Sequence, residues 1–492
     1  MTAMHASGKS DEGVVPMSHR RPTGRGMGEG RPETSGNPDE PLQAETQSST
    51  ILVSGVDRIR QAAKRDKGLR FTNLLHHLTR DLLEDAYRGL KRDASAGVDG
   101  VTWSEYGEEL RPRLDALHGR VQNGEYRAQP SKRAWIPKAD GGKRPLGVAA
   151  LEDKIVQLAT VWVLNAIYEE DFSGFSYGFR PQRGQHQALD AVWVGIDRRK
   201  VNWIVDADIR SFFDTLDHGW LMKFVEHRVA DPRILALLRQ WLRAGVSENG
   251  RWTGTTVGTP QGAVISPLLA NIYLHYVLDL WVKWWRSRDG VGETIIVRYA
   301  DDFVVGHQTK NEAERFLHDL RERLAKFGLT LHPDKTRLIE FGRYAQANRT
   351  KRGEGKPETF DFLGFTHCCA KRWSDGGFTV IRTSMAKRLG AAVRKIGQTL
   401  KAIRATTLAE QGKWLGAVVR GWLGYHAVPG NFAAISSFRD RVIEAWRRAL
   451  RRRSQKAARG TSWPAMRALA ARFIPRATIL HPYPNQRLRV TT

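Results

Sequence analysis

The segment Ile295-Ile296-Val297-Arg298-Tyr299-Ala300-Asp301-Asp302-Phe303-Val304-Val305 sets two apolar, largely β-branched runs on either side of a short polar break. Such runs favour strands, and the tight break predicts a hairpin with two carboxylates at its tip. Adjacent anions between buried strands repel each other unless a positive charge binds there. Asp is also a common turn residue, so this pair alone is compatible with an ordinary surface turn.

Upstream, Trp203-Ile204-Val205-Asp206-Ala207-Asp208-Ile209 predicts a second strand. The two-residue period of a strand puts Asp206 and Asp208 on one face. Arg210-Ser211-Phe212-Phe213-Asp214 then turns into a helix. A strand-end carboxylate beside a hairpin-tip pair is the donor set for two divalent cations, which lie about 3.5–4 Å apart in two-metal sites. Magnesium favours this hard oxygen shell, completed by phosphates. Asp206 and Asp208 both remain open as the third carboxylate.

Around this β-rich core the pattern is mostly helical. Apolar spacing predicts helices within 58–90, over 152–169 and over 311–327. Ala134-Trp135-Ile136-Pro137 predicts a short strand ahead of an Asp140-Gly141-Gly142 turn. Beyond residue 382 the chain is helical and basic to about residue 473, and the tail predicts irregular structure. Residues 1–50 are rich in Gly, Pro, Ser, Thr and Glu and bury too little apolar surface to offset chain entropy, so they predict a disordered leader.

The 492 residues carry 78 basic and 52 acidic side chains, a net charge of +26. That excess points to a polyanionic partner, with nucleic acid ahead of an acidic membrane surface. Residues 371–492 hold 25 basic and four acidic side chains, so one terminal region supplies +21 of it. Val442, Ile443, Trp446, Ala449 and Leu450 mark an inward helical face there, leaving Arg447, Arg448, Arg451 and Arg452 largely outside. Arg453, Lys456 and Arg459 continue the charge.

Cys368 and Cys369 are adjacent and the only cysteines, which excludes a disulfide framework and a CxxC zinc site. A reducing, cytoplasmic setting is the expectation. In the apolar segment 265–285, Asn271, His275, Asp279 and Lys283 recur every fourth residue. That polar stripe predicts an amphipathic helix rather than a membrane span.

The blocks resemble, in order, those of reverse transcriptases of the group II intron maturase family. They are Ile136-Pro137-Lys138 with Arg144-Pro145-Leu146-Gly147, Ser176-Tyr177-Gly178-Phe179-Arg180-Pro181, and residues 208–214. Thr259-Pro260-Gln261-Gly262, Ser266-Pro267-Leu268-Leu269-Ala270-Asn271 and Tyr299-Ala300-Asp301-Asp302 follow. Gly328-Leu329 with Lys335-Thr336, then Phe362-Leu363-Gly364-Phe365, complete the series.

The resemblance implies an α+β right-hand polymerase: fingers and palm, then an α-helical thumb/maturase domain. It divides the chain into a leader (1–50), an N-terminal helical extension (51–116), fingers and palm (117–366), thumb (367–475) and tail (476–492). It selects Asp208 over Asp206 and implies that Asp208, Asp301 and Asp302 are the catalytic ligands of two Mg2+ ions. Lys138 and Arg144 correspond to residues that grip the incoming triphosphate, a task that suits fixed cations. Phe213 is placed to exclude a 2′-hydroxyl and favour dNTPs. Gln261 and Gly262 would lie against the nascent base pair, and the Gln-Gly pair sets the chain apart from diversity-generating relatives. Phe362-Leu363-Gly364-Phe365 resembles the primer grip. Arg420-Gly421-Trp422-Leu423-Gly424-Tyr425-His426 resembles the maturase motif, which implies that Arg420, Trp422, Arg447, Arg448, Arg451 and Arg452 bind RNA.

The implied function is RNA-directed DNA synthesis on a DNA primer, joined to binding of group II intron RNA that assists splicing and retromobility. The alternatives are an RNA-binding splicing cofactor that no longer polymerises, or a reverse transcriptase serving phage defence. The expected partners are intron RNA, an RNA template with its DNA primer, and dNTPs, with no membrane; the sequence leaves the oligomeric state unknown. Family members often continue into an HNH nuclease. Its absence before Thr492 leads to the expectation that the primer end is made elsewhere.

Overall fold

A four-stranded antiparallel sheet occupies the centre of the computed structural model, with helices packed around it. The structure describes Val15–Pro16 and residues 52–137, 143–248, 250–254, 257–259, 262–453 and 460–489. The leader 1–50 (apart from Val15–Pro16), the 140–142 turn, Lys138, Gln261, Lys456 and Arg459 lie outside the described residues.

In chain order the strands are β1 (Val15–Pro16), β2 (Ser131–Pro137), β3 (Lys143–Val148), β4 (Trp203–Ala207), β5 (Val246–Glu248) and β6 (Arg251–Thr253). There follow β7 (Thr294–Tyr299), β8 (Asp302–His307), β9 (Arg337–Glu340), β10 (Phe360–Phe362), β11 (Phe365–Lys371), β12 (Phe378–Ser384) and β13 (Leu488–Arg489). The central sheet has the order β7-β8-β4-β9, a second runs β3-β2-β5-β6, and a third β10-β11-β12. Sheets that are antiparallel apart from the β2–β5 pair, with segregated helices, place the fold in the α+β class.

The expected strands within 203–209 and 295–305 appear as β4 and the β7–β8 hairpin because their β-branched residues alternate into two packed layers. The helices Leu52–Arg65 and Arg80–Gly89 pack on Leu151–Asp171, and Leu110–Gln122 packs on Arg80–Gly89, within one apolar core that continues under the central sheet. Leu110–Gln122 therefore runs across the expected 116/117 boundary, and β11 runs across 366/367. The helices Ala386–Ala402, Leu408–His426, Phe432–Arg451 and Trp463–Phe473 enclose a separate core. Val442, Ile443, Trp446, Ala449 and Leu450 all face into it.

The tail is more ordered than expected. His481 Nε2 lies 2.7 Å from the Gly424 carbonyl oxygen, Pro484–Arg487 forms a short helix, and β13 pairs with β1. Buried Asp190 accepts from Arg382 at 2.7 Å and also pairs with Arg487, which pins the tail to the helix Gln185–Arg198. No described helix is long and apolar enough to cross a membrane.

The segment 265–285 needs a correction. It is helical throughout, with a π turn at His275–Asp279 between Ser266–Leu274 and Leu280–Arg288. Asn271, His275 and Asp279, however, are buried rather than exposed. Asn271 and Asp279 accept from Arg298 on β7, which supplies the charge and donors they need. Burial holds His275 neutral, its pKa lowered to about 4.

Candidate active site

Tyr299 pairs with Asp302, so β7 and β8 are joined by a two-residue loop, Ala300-Asp301. Ala300 takes a φ of 57°, a left-handed conformation that costs a residue with a side chain. The surroundings hold it there. Arg298, fully buried, donates through Nη1 to the Ala300 carbonyl oxygen at 3.0 Å and to Asn271 Oδ1 at 3.0 Å. Its Nε and Nη2 donate to the Asp279 carboxylate at 2.7 and 2.6 Å. From the other side Gly178 lies against the loop so closely that a methyl group there would strike the Ala300 nitrogen. Asn271 Nδ2 also donates to the Gly178 carbonyl oxygen at 2.8 Å, closing the bracket around the tip.

The third carboxylate directly follows β4. Ala207 is paired with Phe303, so the next residue along, Asp208, lies beside Asp302. Asp206 is engaged elsewhere, accepting from Arg337 Nη2 at 3.1 Å, and its burial raises its pKa. Lys335, on the turn before β9, donates to Asp208 Oδ2 at 2.7 Å. That bond is the main reason its pKa is raised; the charges of Asp302 and Asp301 add to the effect. Asp302 is reached by solvent at the mouth of the site. Crowding by protein atoms and the charges of Asp301 and Asp208 push its pKa up to about 7, while Lys335 and Arg388 pull the other way.

These residues fit hard divalent cations. They offer oxygen donors, their mutual repulsion raises a carboxylate pKa, and one lysine ammonium is already drawn among them. Among the described residues, no three His, Cys, Asp or Glu side chains form a ready-made cage.

Phe213 belongs to the turn that follows Asp208. Ser211, at φ 49°, turns the chain into the short helix Phe212–Thr215, and the half-buried Phe213 ring meets Phe212 edge-on at 5.4 Å. Thr259 N donates to the Phe213 carbonyl oxygen at 2.8 Å. Gly262, at φ 105°, lies against Leu146 and Gly147 of β3, where a Cβ would come within 2.6 Å of Leu146 Cδ1. Thr259 and Gly262 thus touch the Phe213 turn and the second sheet respectively. Arg144 pairs with Ile136 across β2 and β3, although its side chain, like all of Lys138 and Gln261, lies outside what is described.

Residues 136–367 match the reverse transcriptase (RNA-dependent DNA polymerase) family. Protein YkfC of Escherichia coli (strain K12) is 35% identical over 325 residues, covering 58% of this chain and 85% of that protein. Group II intron-encoded protein LtrA of Lactococcus lactis subsp. cremoris is 33% identical over 307 residues, 60% of this chain and 49% of LtrA. The chain is a reverse transcriptase of the group II intron-encoded family. It spans about half the length of LtrA. An uncharacterized 91 kDa protein in the cob intron of Schizosaccharomyces pombe is 36% identical over 210 residues, 43% of this chain and 26% of that protein.

This reverse transcriptase is an RNA-directed DNA polymerase by class, and such enzymes work with divalent cations. Its expected RNA-binding residues divide into two groups. Arg420, Arg451 and Arg452 are exposed, as is Arg448, which pairs with Glu444. Arg447 is half-buried, donating to the Thr461 carbonyl oxygen at 2.9 Å and lying 4.6 Å over the Trp463 ring. Trp422 is half-buried: its ring stacks on His426 at 3.8 Å and Phe438 at 4.2 Å, against the core of the C-terminal helices.

Lys335 stands in a block that carries the resemblance, but no local signal pairs it with Asp208, 127 positions away. Arg298 and Asp279 were likewise illegible as site supports. The available sign was that stripe of polar residues inside an otherwise apolar helix.

Proposed function

We propose that this reverse transcriptase extends a DNA primer with dNTPs along an RNA template, with Asp208, Asp301 and Asp302 holding two Mg2+ ions, and that its basic C-terminal region binds group II intron RNA to assist splicing and retromobility. The observation that carries the polymerase reading is the strand register, which sets Asp208 beside Asp302 while Asp206 is taken up by Arg337. Bound at these carboxylates, divalent cations supply activation of the primer 3′ hydroxyl and charge neutralisation for the departing pyrophosphate.

The protein's own groups set the stage. Arg298 and Gly178 fix the height of the hairpin tip, so Asp301 and Asp302 meet the substrate in one geometry. Phe213 fills the space where a ribose 2′-hydroxyl would lie and so favours dNTPs. Lys138 and Arg144 draw in the triphosphate. Lys335 keeps Asp208 paired until cations displace it. The net +21 of residues 371–492 supports binding to a structured RNA.

Purified protein with an RNA template, annealed DNA primer, dNTPs and Mg2+ should yield cDNA, and Asp301→Asn should abolish the product while the protein stays folded. Full synthesis by that variant would overturn the carboxylate assignment. Splicing of intron RNA by an Asp302→Ala variant should persist. Failure of splicing despite normal RNA affinity would separate the maturase role from this reading.

A further inference from the structure

We infer that the end of the central sheet farthest from the carboxylates binds an unpaired RNA segment, whose bases stack on Trp373 and Tyr344 and whose phosphates meet Arg198, Arg343 and Arg372. The β11–β12 hairpin carries the first ring. Its strands pair from Phe365 with Ser384 out to Lys371 with Phe378, and Arg372 N closes the turn on the Gly377 carbonyl oxygen at 2.7 Å. Asp375 accepts from Arg372 Nε at 3.0 Å and from Gly377 N at 2.9 Å. Within this tied turn Trp373 is fully exposed.

The second ring follows β9. Phe341 N, just past the end of that strand, donates to the Asn202 carbonyl oxygen at 2.9 Å, and Cys369 Sγ of β11 lies 3.7 Å from the Gly342 carbonyl oxygen. Arg343 and Tyr344 therefore emerge beside the hairpin, and Tyr344 is 57% exposed. Arg343 and Arg372 both reach Asp197, near the end of the helix Gln185–Arg198. Arg343 Nη2 donates to the Asp197 carbonyl oxygen at 3.4 Å, while Arg372 Nη1 and Arg198 Nε lie 3.8 and 3.5 Å from its carboxylate.

That carboxylate is buried, so it holds the cations in place without covering them: Arg198, Arg343 and Arg372 are all exposed. Three guanidinium groups against Asp197 and Asp375 leave positive charge facing solvent beside two exposed rings. Such a surface suits unpaired nucleotides, because every base offers a π face and every linkage an anion. A ring set on a tied turn also loses little freedom when a base stacks on it. The chain's net charge of +26 favours a polyanion over a protein here. Strand β4 separates Asn202 from Asp208, a path of about 20 Å at about 3.3 Å per residue, so this surface is distinct from the polymerase site.

Filter binding is measured for wild type, Trp373→Ala/Tyr344→Ala, Trp373→Phe and Arg343→Ala with two probes, a group II intron RNA and oligo(U). Each mixture also holds a saturating short RNA template with its DNA primer, which fills the polymerase site. Stacking predicts a loss of about ten-fold or more in affinity for the double alanine variant, with most of it retained in Trp373→Phe. Arg343→Ala should flatten the salt dependence by about 0.7–0.9, the share of one phosphate contact. Melting temperature and extension of the short primer should stay unchanged. Loss with both probes supports the inference and makes any unpaired strand the ligand; loss with the intron RNA alone supports it and makes a loop of that RNA the ligand. Wild-type affinity of the double variant for both probes would overturn it. So would unchanged affinity joined to a loss of self-association in sedimentation, which would give this face to a second copy of the chain. Either result leaves the polymerase reading standing, since extension of the short primer tests that separately.

Discussion

Asp302 is a carboxylate that the protein leaves at odds with its neighbours, its pKa raised to about 7 by crowding and by Asp301 and Asp208. Replacing it by Asn removes one charge and keeps the shape. Asp302→Asn should therefore fold at least as stably as wild type, judged by thermal melting, while primer extension drops to background. An active Asp302→Asn enzyme would take this residue out of the cation site. Arg298 gives the complementary case. Its guanidinium is fully buried on Asp279, so Arg298→Met strands a buried carboxylate and should cost about 3–5 kcal/mol in denaturant unfolding. Adding Asp279→Leu should restore most of that stability. Extension should stay low in the double variant, because the Ala300 carbonyl oxygen has lost its anchor. Equal recovery of stability and activity would show that the anchor contributes nothing to the chemistry.

The β7–β8 hairpin works as a unit braced from behind, and Gly178 is the brace with the least room to change. A methyl group there must push the Ala300 nitrogen aside, moving both tip carboxylates together. Gly178→Ala should slow extension about a hundred-fold, since displacement of about 1 Å at a reacting centre costs that much. Circular dichroism should stay native, and an unslowed variant would show that the tip tolerates displacement. This hairpin was legible from sequence because both its strands and its break are local signals within eleven residues. Its support was not. Asn271 and Asp279 sit 27 and 19 positions from Arg298, and a polar stripe on a helix looks the same whether it faces water or a buried arginine. Trp422 is ambiguous for a similar reason: an aromatic beside arginine suits RNA stacking as well as it suits the packing on Phe438 that the structure shows. The C-terminal helices were visible from periodicity, but their close packing was not. Gly412 and Gly416 of Leu408–His426 lie directly against Phe473, so Gly416→Ala should lower the melting temperature, with a cost of about 1–3 kcal/mol from overpacking.

Across the whole molecule the charge is divided unevenly: residues 371–492 hold 25 basic and only four acidic side chains. Arg451 and Arg452 are exposed at the end of Phe432–Arg451, beyond the face that packs in the core, whereas Arg447 is tied to Thr461. Neutralising the two exposed arginines should therefore weaken RNA binding without loosening the fold. Each phosphate contact releases condensed counterions, so the logarithm of affinity falls with the logarithm of salt by about 0.7–0.9 per contact. The double variant Arg451→Ala/Arg452→Ala should flatten that slope by about 1.4–1.8 if both residues reach phosphate. Arg447→Ala should instead lower the melting temperature and leave the slope almost unchanged, because its guanidinium already serves the protein. Filter binding of a group II intron RNA across a salt series, alongside thermal melts, separates the two behaviours. A parallel slope for the double variant would place the RNA on another face of the C-terminal helices, and a flattened slope for Arg447→Ala would mean that its intramolecular bonds give way when RNA docks.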